Sequence, residues 1–269
     1  VQQILDQENN FNESYNNSVP VIDGLQIYYT NKVYPTTNLK LHTVNYYDDY
    51  NSILNAVLQH PGLIELDNVS YTVSQETKSL PTGSLVRVLG TNDWITSVTY
   101  YDEKGQPIYA GSYNDYLNNK DVIKMGLDFT GTVTISESEH TKDNTNPIIV
   151  TDRFTYDHAN RLLTQKQQIT GQSEELIVKN EYDELGQLRV KNVGNTETSP
   201  LQSVDYDYNI RGWLKQINDP NALGNDLFTF KINYNTTNLG LDNDPLYNGN
   251  ISETIWKTAN DISNATTRG

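Results

Sequence analysis

NEYDELGQLRVKNVG, from Asn180 to Gly194, places a tyrosine, an aspartate, a glycine and a leucine at offsets that the chain repeats. Aligned on Tyr182-Asp183-x-x-Gly186-x-Leu188, a second copy, Tyr156-Asp157-x-x-Asn160-x-Leu162, lies 26 residues earlier. A third, Tyr208-Asn209-x-x-Gly212-Trp213-Leu214, lies 26 later, and a further 26 reaches Tyr234-Asn235-x-x-Asn238, where Gly240 replaces the leucine. Upstream stand Tyr101-Asp102-x-x-Gly105 followed by Pro107-Ile108, and Tyr47-Asp48-x-x-Asn51-x-Ile53. The steps from 47 to 101 and from 101 to 156 are 54 and 55, near twice the period, so each should hide a degenerate copy. Leu127-Asp128-x-x-Gly131-x-Val133 fills the second gap, and Tyr71 stands for one in the first.

The substitutions reveal what the motif does. Where glycine is missing, asparagine replaces it, the other residue that readily accepts positive φ. Where aspartate is missing, asparagine again replaces it, and its side-chain oxygen can also cap a turn. This predicts a hairpin: Glu184, Leu185 and Gly186 form a three-residue loop, a type I turn closed by a left-handed residue and a bulge. Asp183 and Gln187 flank the loop, and Tyr182 faces Leu188 across the strands, a pair contributing ~0.2–1 kcal/mol.

The flanks agree. Ile95–Tyr101, Ile148–Asp157, Glu175–Asp183 and Leu227–Asn235 alternate or are β-rich. Breakers such as KDNTNP, TGQS, GNTETSP and NDPNALGND separate them. One stretch, Asn51–Gly62, reads as a short helix with an Asn/Ser start and a Pro-Gly stop. QENNFNESYNNS reads as a polar arm and LQIYYT as a strand. The fold expected is all-β: a curved, mostly antiparallel strip of hairpins, each unit burying against its neighbours what a lone hairpin cannot.

Composition supports that class. The 269 residues include 19 Tyr against 5 Phe, 3 Trp and 1 Met, with a mean hydropathy of -0.64. Tyrosine and threonine suit a pleated, half-buried surface. Against 19 Lys and Arg stand 34 Asp and Glu, a formal charge of -15. A field of that sign repels phosphate backbones and anionic lipid, so neither nucleic acid nor membrane insertion is expected. Cysteine is absent, which removes disulfides, thiolate metal sites and a Cys nucleophile. No basic n-region precedes an apolar run at the start, and the expectation is an excised segment of something longer.

VLGTNDWITSVTYYDEKGQPI, FTYDHANRLL, EYDELGQL, YDYNIRGWLKQIND and PLYNGNISETIWKT resemble the RHS/YD-repeat family, and in particular RHS proteins of Bacteroidetes-type bacteria. The resemblance covers residues 85–269, the repeat region; residues 1–84 read as a β-rich segment with degenerate repeats. It implies a sheet strip wound into part of a spiral shell within a large secreted or cell-surface protein. Many such shells enclose a C-terminal toxin, and related animal proteins use the shell in adhesion. The partners implied are other repeats and a C-terminal domain of the same polypeptide, together with a bacterial secretion apparatus or surface partner. The sorting signal would lie outside this segment.

Chemical readings of the same residues are outweighed. Asp48, Asp102, Asp157 and Asp183 sit at a fixed turn offset and exchange with Asn209 and Asn235, which suits capping and not acid–base catalysis. The tyrosines suit cross-strand packing better than a carbohydrate-stacking ladder. Asn218–Gly224 contains Asp-Pro, which in the family can belong to a self-cleavage motif, but the glycine is displaced and the stretch reads as a turn. Leu241–Leu246 lacks the glycine and distal glutamate of an EF-hand loop. His42, His60, His140 and His158 show no ligand spacing. Trp213, within Arg211-Gly212-Trp213, reads as interior lining, with partner binding the competing view. Neither a G-x-S-x-G nor a P-loop occurs, and Asn-x-Ser/Thr triplets are expected by chance in a chain this rich in Asn and Thr. No enzyme, cofactor or metal is expected, and the competitor to a shell is a surface adhesion or carbohydrate-binding module.

Overall fold

The computed structural model describes residues 13–260, apart from 17, 19, 52–57, 59–61, 68, 144 and 241–243. Among the described residues every named element is a strand, and Leu58 lies in a 3-10 turn. β1 (Val21–Ile22) and β2 (Leu25–Gln26) form a small hairpin; β3 (Thr43–Asp48) follows, then β4 (Leu63–Leu66) and β5 (Val69–Thr72), a second small hairpin. Next come β6 (Thr77–Arg87), β7 (Trp94–Tyr101), β8 (Pro107–Asn114), β9 (Asn119–Leu127) and β10 (Val133–Lys142). The remainder are β11 (Ile148–Tyr156), β12 (Leu162–Ile169), β13 (Glu175–Tyr182), β14 (Leu188–Val193), β15 (Gln202–Tyr208), β16 (Leu214–Ile217), β17 (Phe228–Asn233) and β18 (Glu253–Thr258).

β3 and β6 to β18 make one antiparallel sheet of 14 strands in chain order, with β3 at one end and β18 at the other. The sheet is therefore an open up-and-down strip, not a closed barrel. Its strands pair off as seven hairpins: β3–β6, β7–β8, β9–β10, β11–β12, β13–β14, β15–β16 and β17–β18. The seven begin their loops at Tyr47, Tyr101, Leu127, Tyr156, Tyr182, Tyr208 and Tyr234, so every hairpin carries one copy of the motif.

Two of those copies differ from the expected three-residue loop. Tyr47 pairs with Pro81, and Asp48, at φ 75°, pairs with Thr77; Ile53 lies outside the described residues. The partner strand returns only after residues 49–76, an insertion that carries β4 and β5. Tyr71 therefore belongs to β5, opposite Ile64, and is not a hidden repeat. At the other end Tyr234 opens a loop that closes only at Glu253, and among its described residues positive φ falls at Gly240 and Gly249, not at Asn238. The helix expected over Asn51–Gly62 lies outside the described residues, except for Asn51, Leu58 and Gly62. Within LQIYYT only Leu25–Gln26 is strand, while Tyr29 makes an isolated bridge with Tyr15 of the polar arm.

Compactness divides the chain into Val1–Val150 and Thr151–Gly269, a division that falls within β11. The boundary expected between residues 84 and 85 falls within β6. In the first unit the inserted segment folds over the sheet. Leu58, Ile64, Leu66 and Val73 pack with Val98, Tyr100, Ile108, Tyr109, Val122 and Ile135 in one core. Full burial of each such side chain is worth about 1.5–3 kcal/mol. Gly126 leaves room for this layer, since a Cβ there would come within 2.6 Å of the Tyr71 hydroxyl. A smaller cluster joins Ile22, Ile27, Val44 and Tyr46. In the second unit most strand residues are half-buried, and the buried hydrophobics are Leu176, Val178, Ile232 and Ile255. Without a second described layer, its hairpins depend more heavily on what passes between neighbours.

Candidate functional site

The unit of construction is the Tyr-Asp loop. At Asp183 the carboxylate Oδ1 accepts hydrogen bonds from the backbone N–H groups of Leu185 (2.9 Å) and Gln187 (2.8 Å). The Asp183 N–H donates to the Gln187 carbonyl at 2.9 Å, and the Gly186 N–H donates to the Asp183 carbonyl at 3.0 Å. Tyr182 pairs with Leu188 directly after a bulge at Glu181. The same two side-chain bonds recur at Asp102 to Lys104 and Gln106 and at Asp128 to Thr130 and Thr132. They recur again at Asp157 to Ala159 and Arg161, and at Asn209 to Arg211 and Trp213. The left-handed position is held by Gly105, Gly131, Asn160, Gly186 and Gly212, with φ between 60° and 89°. Each oxygen satisfies donors that a tight loop would otherwise leave bare. Asp157 also receives the Arg161 guanidinium at 2.6 Å, and hydrogen bonds from the Arg161 backbone and side chain hold its carboxyl down at about 2.

Tyr47 and Asp48 use the same parts over a longer span. The Asp48 carboxylate takes the N–H of Ser79 at 2.6 Å, on the returning strand. At the far end Asn235 does not cap the loop. Glu253, buried at the start of β18, takes that role: its carboxylate accepts from the N–H groups of Asn238 (2.9 Å) and Leu239 (3.0 Å) and from the Asn233 amide (2.6 Å). Burial pushes the Glu253 carboxyl up, and those hydrogen bonds together with the charge of Lys231 more than reverse it, leaving it below the ordinary glutamate range.

The tyrosine does more than face a leucine. The Tyr182 hydroxyl donates to the carbonyl of Leu162, in the preceding hairpin, at 3.0 Å. Tyr234 donates to the Leu214 carbonyl at 2.9 Å, and Tyr101 to the Pro81 carbonyl at 2.6 Å. In all three the acceptor lies 20 residues earlier, at the position that faces the preceding motif tyrosine or its equivalent. Side chains reach forward as well. Gln187 donates to the Gly212 carbonyl at 3.2 Å, and Lys104 to the Phe129 carbonyl at 2.9 Å. The Arg161 guanidinium lies 4.6 Å from the Tyr182 ring centre, and Trp213 lies 5.1 Å from that of Tyr234. Within each compact unit, successive hairpins are thus bolted together through their loops, besides being paired along their strands. Sequence reading missed the hydroxyl bond and Glu253. The signal for the first was present in the excess of Tyr over Phe, since packing alone needs no hydroxyl.

Trp213 is half-buried and lines a cleft of about 260 Å³ between the Asn209 loop and the long loop after Tyr234. Asn209, Arg211, Tyr234, Asn235 and Tyr247 share that cleft. Asn218–Gly224 is a turn, with the Asn221 N–H on the Asp219 carboxylate at 2.9 Å and the Ala222 N–H on the Asp219 carbonyl at 3.0 Å. Of Leu241–Leu246, residues 241–243 lie outside the described residues, as does His60. Among the described residues no three His, Asp or Glu side chains converge on a point that could hold a metal ion.

No family model matches the chain, and the search of curated proteins finds no match. Among solved structures, a crystal structure of TcdB2-TccC3-Cdc42 aligns with it at 16% identity and a TM-score of 0.32. The alignment covers 71% of this chain and 11% of that one, so the chain spans about a tenth of the length of its neighbour. A likeness at that level leaves the functional argument to the repeats themselves.

Proposed function

We propose that this chain is a structural segment of a large exported RHS-type repeat protein. In this reading its strip contributes to a β-shell that encloses or escorts a C-terminal effector carried on the same polypeptide. The observation that carries the reading is the loop-to-loop bolting: Tyr101, Tyr182 and Tyr234 each tie their own hairpin to the one before. A strip fastened this way gains rigidity by adding units, as a wall requires and a catalytic scaffold does not. The role is non-enzymatic and uses no cofactor. Its partners are further repeats and the effector, a secretion apparatus or surface partner handles the whole, and neither nucleic acid nor membrane insertion enters. The place of work is the cell surface or the medium. Among the described residues no helix is long and apolar enough to cross a membrane.

The test is an intact mass and full peptide map of the parent protein from its producing cells, followed by separate expression of any domain downstream. A polypeptide several times longer, with more Tyr-Asp units and a C-terminal domain toxic by itself, supports the shell. A product consisting of these 269 residues alone removes it. The second reading, a surface adhesion or carbohydrate-binding module on the same repeats, is favoured by the aromatic cleft at Trp213.

A further inference from the structure

The cleft beside Trp213 has features that neither hairpin closure nor loop bolting requires. Among the described residues Arg87, Arg153, Arg161 and Arg189 each pair with a carboxylate, and Arg211 pairs with none. In a chain of formal charge -15, carboxylates are plentiful, and this guanidinium stays clear of them. It sits instead 5.1 Å from the Trp213 ring centre, at the mouth of the cleft. With no carboxylate on it, the guanidinium keeps its fork of N–H donors available, a fork that matches a carboxylate. Behind it the Trp213 and Tyr234 rings meet at 50°, and Tyr247, 78% exposed, forms the far rim. A Cβ on Gly249 would come within 2.9 Å of the Trp213 ring, so glycine there lets the long loop close against the indole. Asn209 uses its side-chain oxygen on the Arg211 and Trp213 N–H groups, which leaves its amide N–H donors for another partner. Asn235 adds a second, exposed amide.

We propose that this cleft binds an acidic saccharide, one carboxylated pyranose unit of a uronic-acid-type glycan. The C–H face of the ring lies on the aromatic surface of Trp213 and Tyr247, the Asn209 and Asn235 amides bond its hydroxyls, and Arg211 takes the carboxylate. The guanidinium argues against a cationic ligand in the same aromatic setting, because it repels one. A volume of about 260 Å³ suits a single sugar unit and not a peptide segment. The inference rests on the cleft alone and does not require the shell.

The test uses the full chain at 0.15 M salt, which screens the repulsion between acidic glycan and acidic protein. Tryptophan fluorescence is followed on titration with a galacturonic acid tetramer and, separately, with a linear glucose tetramer. A saturable change is expected with the acidic tetramer, at least about tenfold weaker with the neutral one, matching loss of a charge-assisted pair. Arg211→Ala weakens the acidic titration by a similar factor and leaves the neutral one unmoved, while Trp213→Phe abolishes the optical signal and assigns it. Arg211 is exposed and carries no structural contact beyond the indole, so its variant keeps the wild-type circular dichroism spectrum. No change up to about 10 mM, equal affinity for the two tetramers, or an acidic titration indifferent to Arg211→Ala would each overturn the assignment.

Discussion

Removing one oxygen at Tyr182 tests the bolting directly. In Tyr182→Phe the ring stays, and with it the Arg161 stacking at 4.6 Å and the pairing with Leu188. Only the hydroxyl bond to the Leu162 carbonyl is lost. That carbonyl also accepts the Asn180 amide at 3.0 Å, so it is not left bare, and the cost should fall at the lower end of a net hydrogen bond, about 0.5–1 kcal/mol. Asn180→Ala alone should cost a similar amount. The double variant strips both donors from one half-buried carbonyl, and its cost should exceed the sum of the two by about 0.5–1 kcal/mol. Urea unfolding of the four proteins measures this, with midpoints shifting at an unchanged slope. In a chain of this size 1 kcal/mol corresponds to roughly 2–4 °C in Tm. A Tyr182→Phe midpoint equal to wild type, together with strict additivity in the double variant, would refute the claim that the hydroxyl ties neighbouring hairpins.

Tyr101→Phe should cost more than Tyr182→Phe, about 1–2 kcal/mol, because Tyr101 is buried and its bond to Pro81 is 2.6 Å; thermal unfolding ranks the two. Asp183→Asn should change stability by less than about 0.5 kcal/mol, since Asn209 shows that an amide oxygen accepts the same two N–H groups, while Asp183→Ala should lose about 1–2 kcal/mol in the same urea assay. Gly186→Val puts a β-branched residue at φ 82° and its Cβ against the Arg161 guanidinium; the flexible arginine can yield but the backbone cannot, and a loss of about 1–3 kcal/mol is expected, read as a lowered Tm. Glu253 supplies a pH dependence. Its folded-state pKa lies below the ordinary glutamate value, so its contribution is complete above that value and fades as pH falls through the lower folded one. Stability measured from pH 6 downward should drop more steeply in wild type than in Glu253→Gln, and parallel curves would assign the acid sensitivity elsewhere.

The repeated hairpin was legible because its determinants are local. Asp183, Gly186 and their equivalents act within five residues, and a turn that needs one oxygen and one positive φ writes itself into sequence at fixed offsets. Counting copies of the motif, with Leu127 standing in for one, overshoots the seven hairpins of the long sheet by one, because Tyr71 belongs to the inserted β5. What was illegible is what depends on distance along the chain. Tyr47 finds Pro81 only after an insertion that looks like independent structure, and nothing near Ile53 announces that the partner lies further on. Tyr234 keeps the hydroxyl bond of its series while losing the turn, because the bond looks back to Leu214 and the turn looks forward into altered sequence. Glu253 caps a loop from its far side, where no offset rule applies. The cleft was half visible: Arg211-Gly212-Trp213 stood out, but its second wall comes from the long loop that the repeat pattern does not describe.

The hydroxyl bonds of Tyr101, Tyr182 and Tyr234 all point toward the N-terminus. This gives the strip a polarity in time. A chain emerging from the ribosome presents each of these three tyrosines after its acceptor carbonyl has already been set in the preceding hairpin, so these bonds can form on arrival, while the forward bonds of Lys104 and Gln187 wait for the next unit. Growth from the opposite end would leave each hydroxyl searching for a partner not yet made. A protein built this way can lengthen at its C-terminal side over evolutionary time by appending a unit, while inserting one in the middle requires two junctions to be refitted.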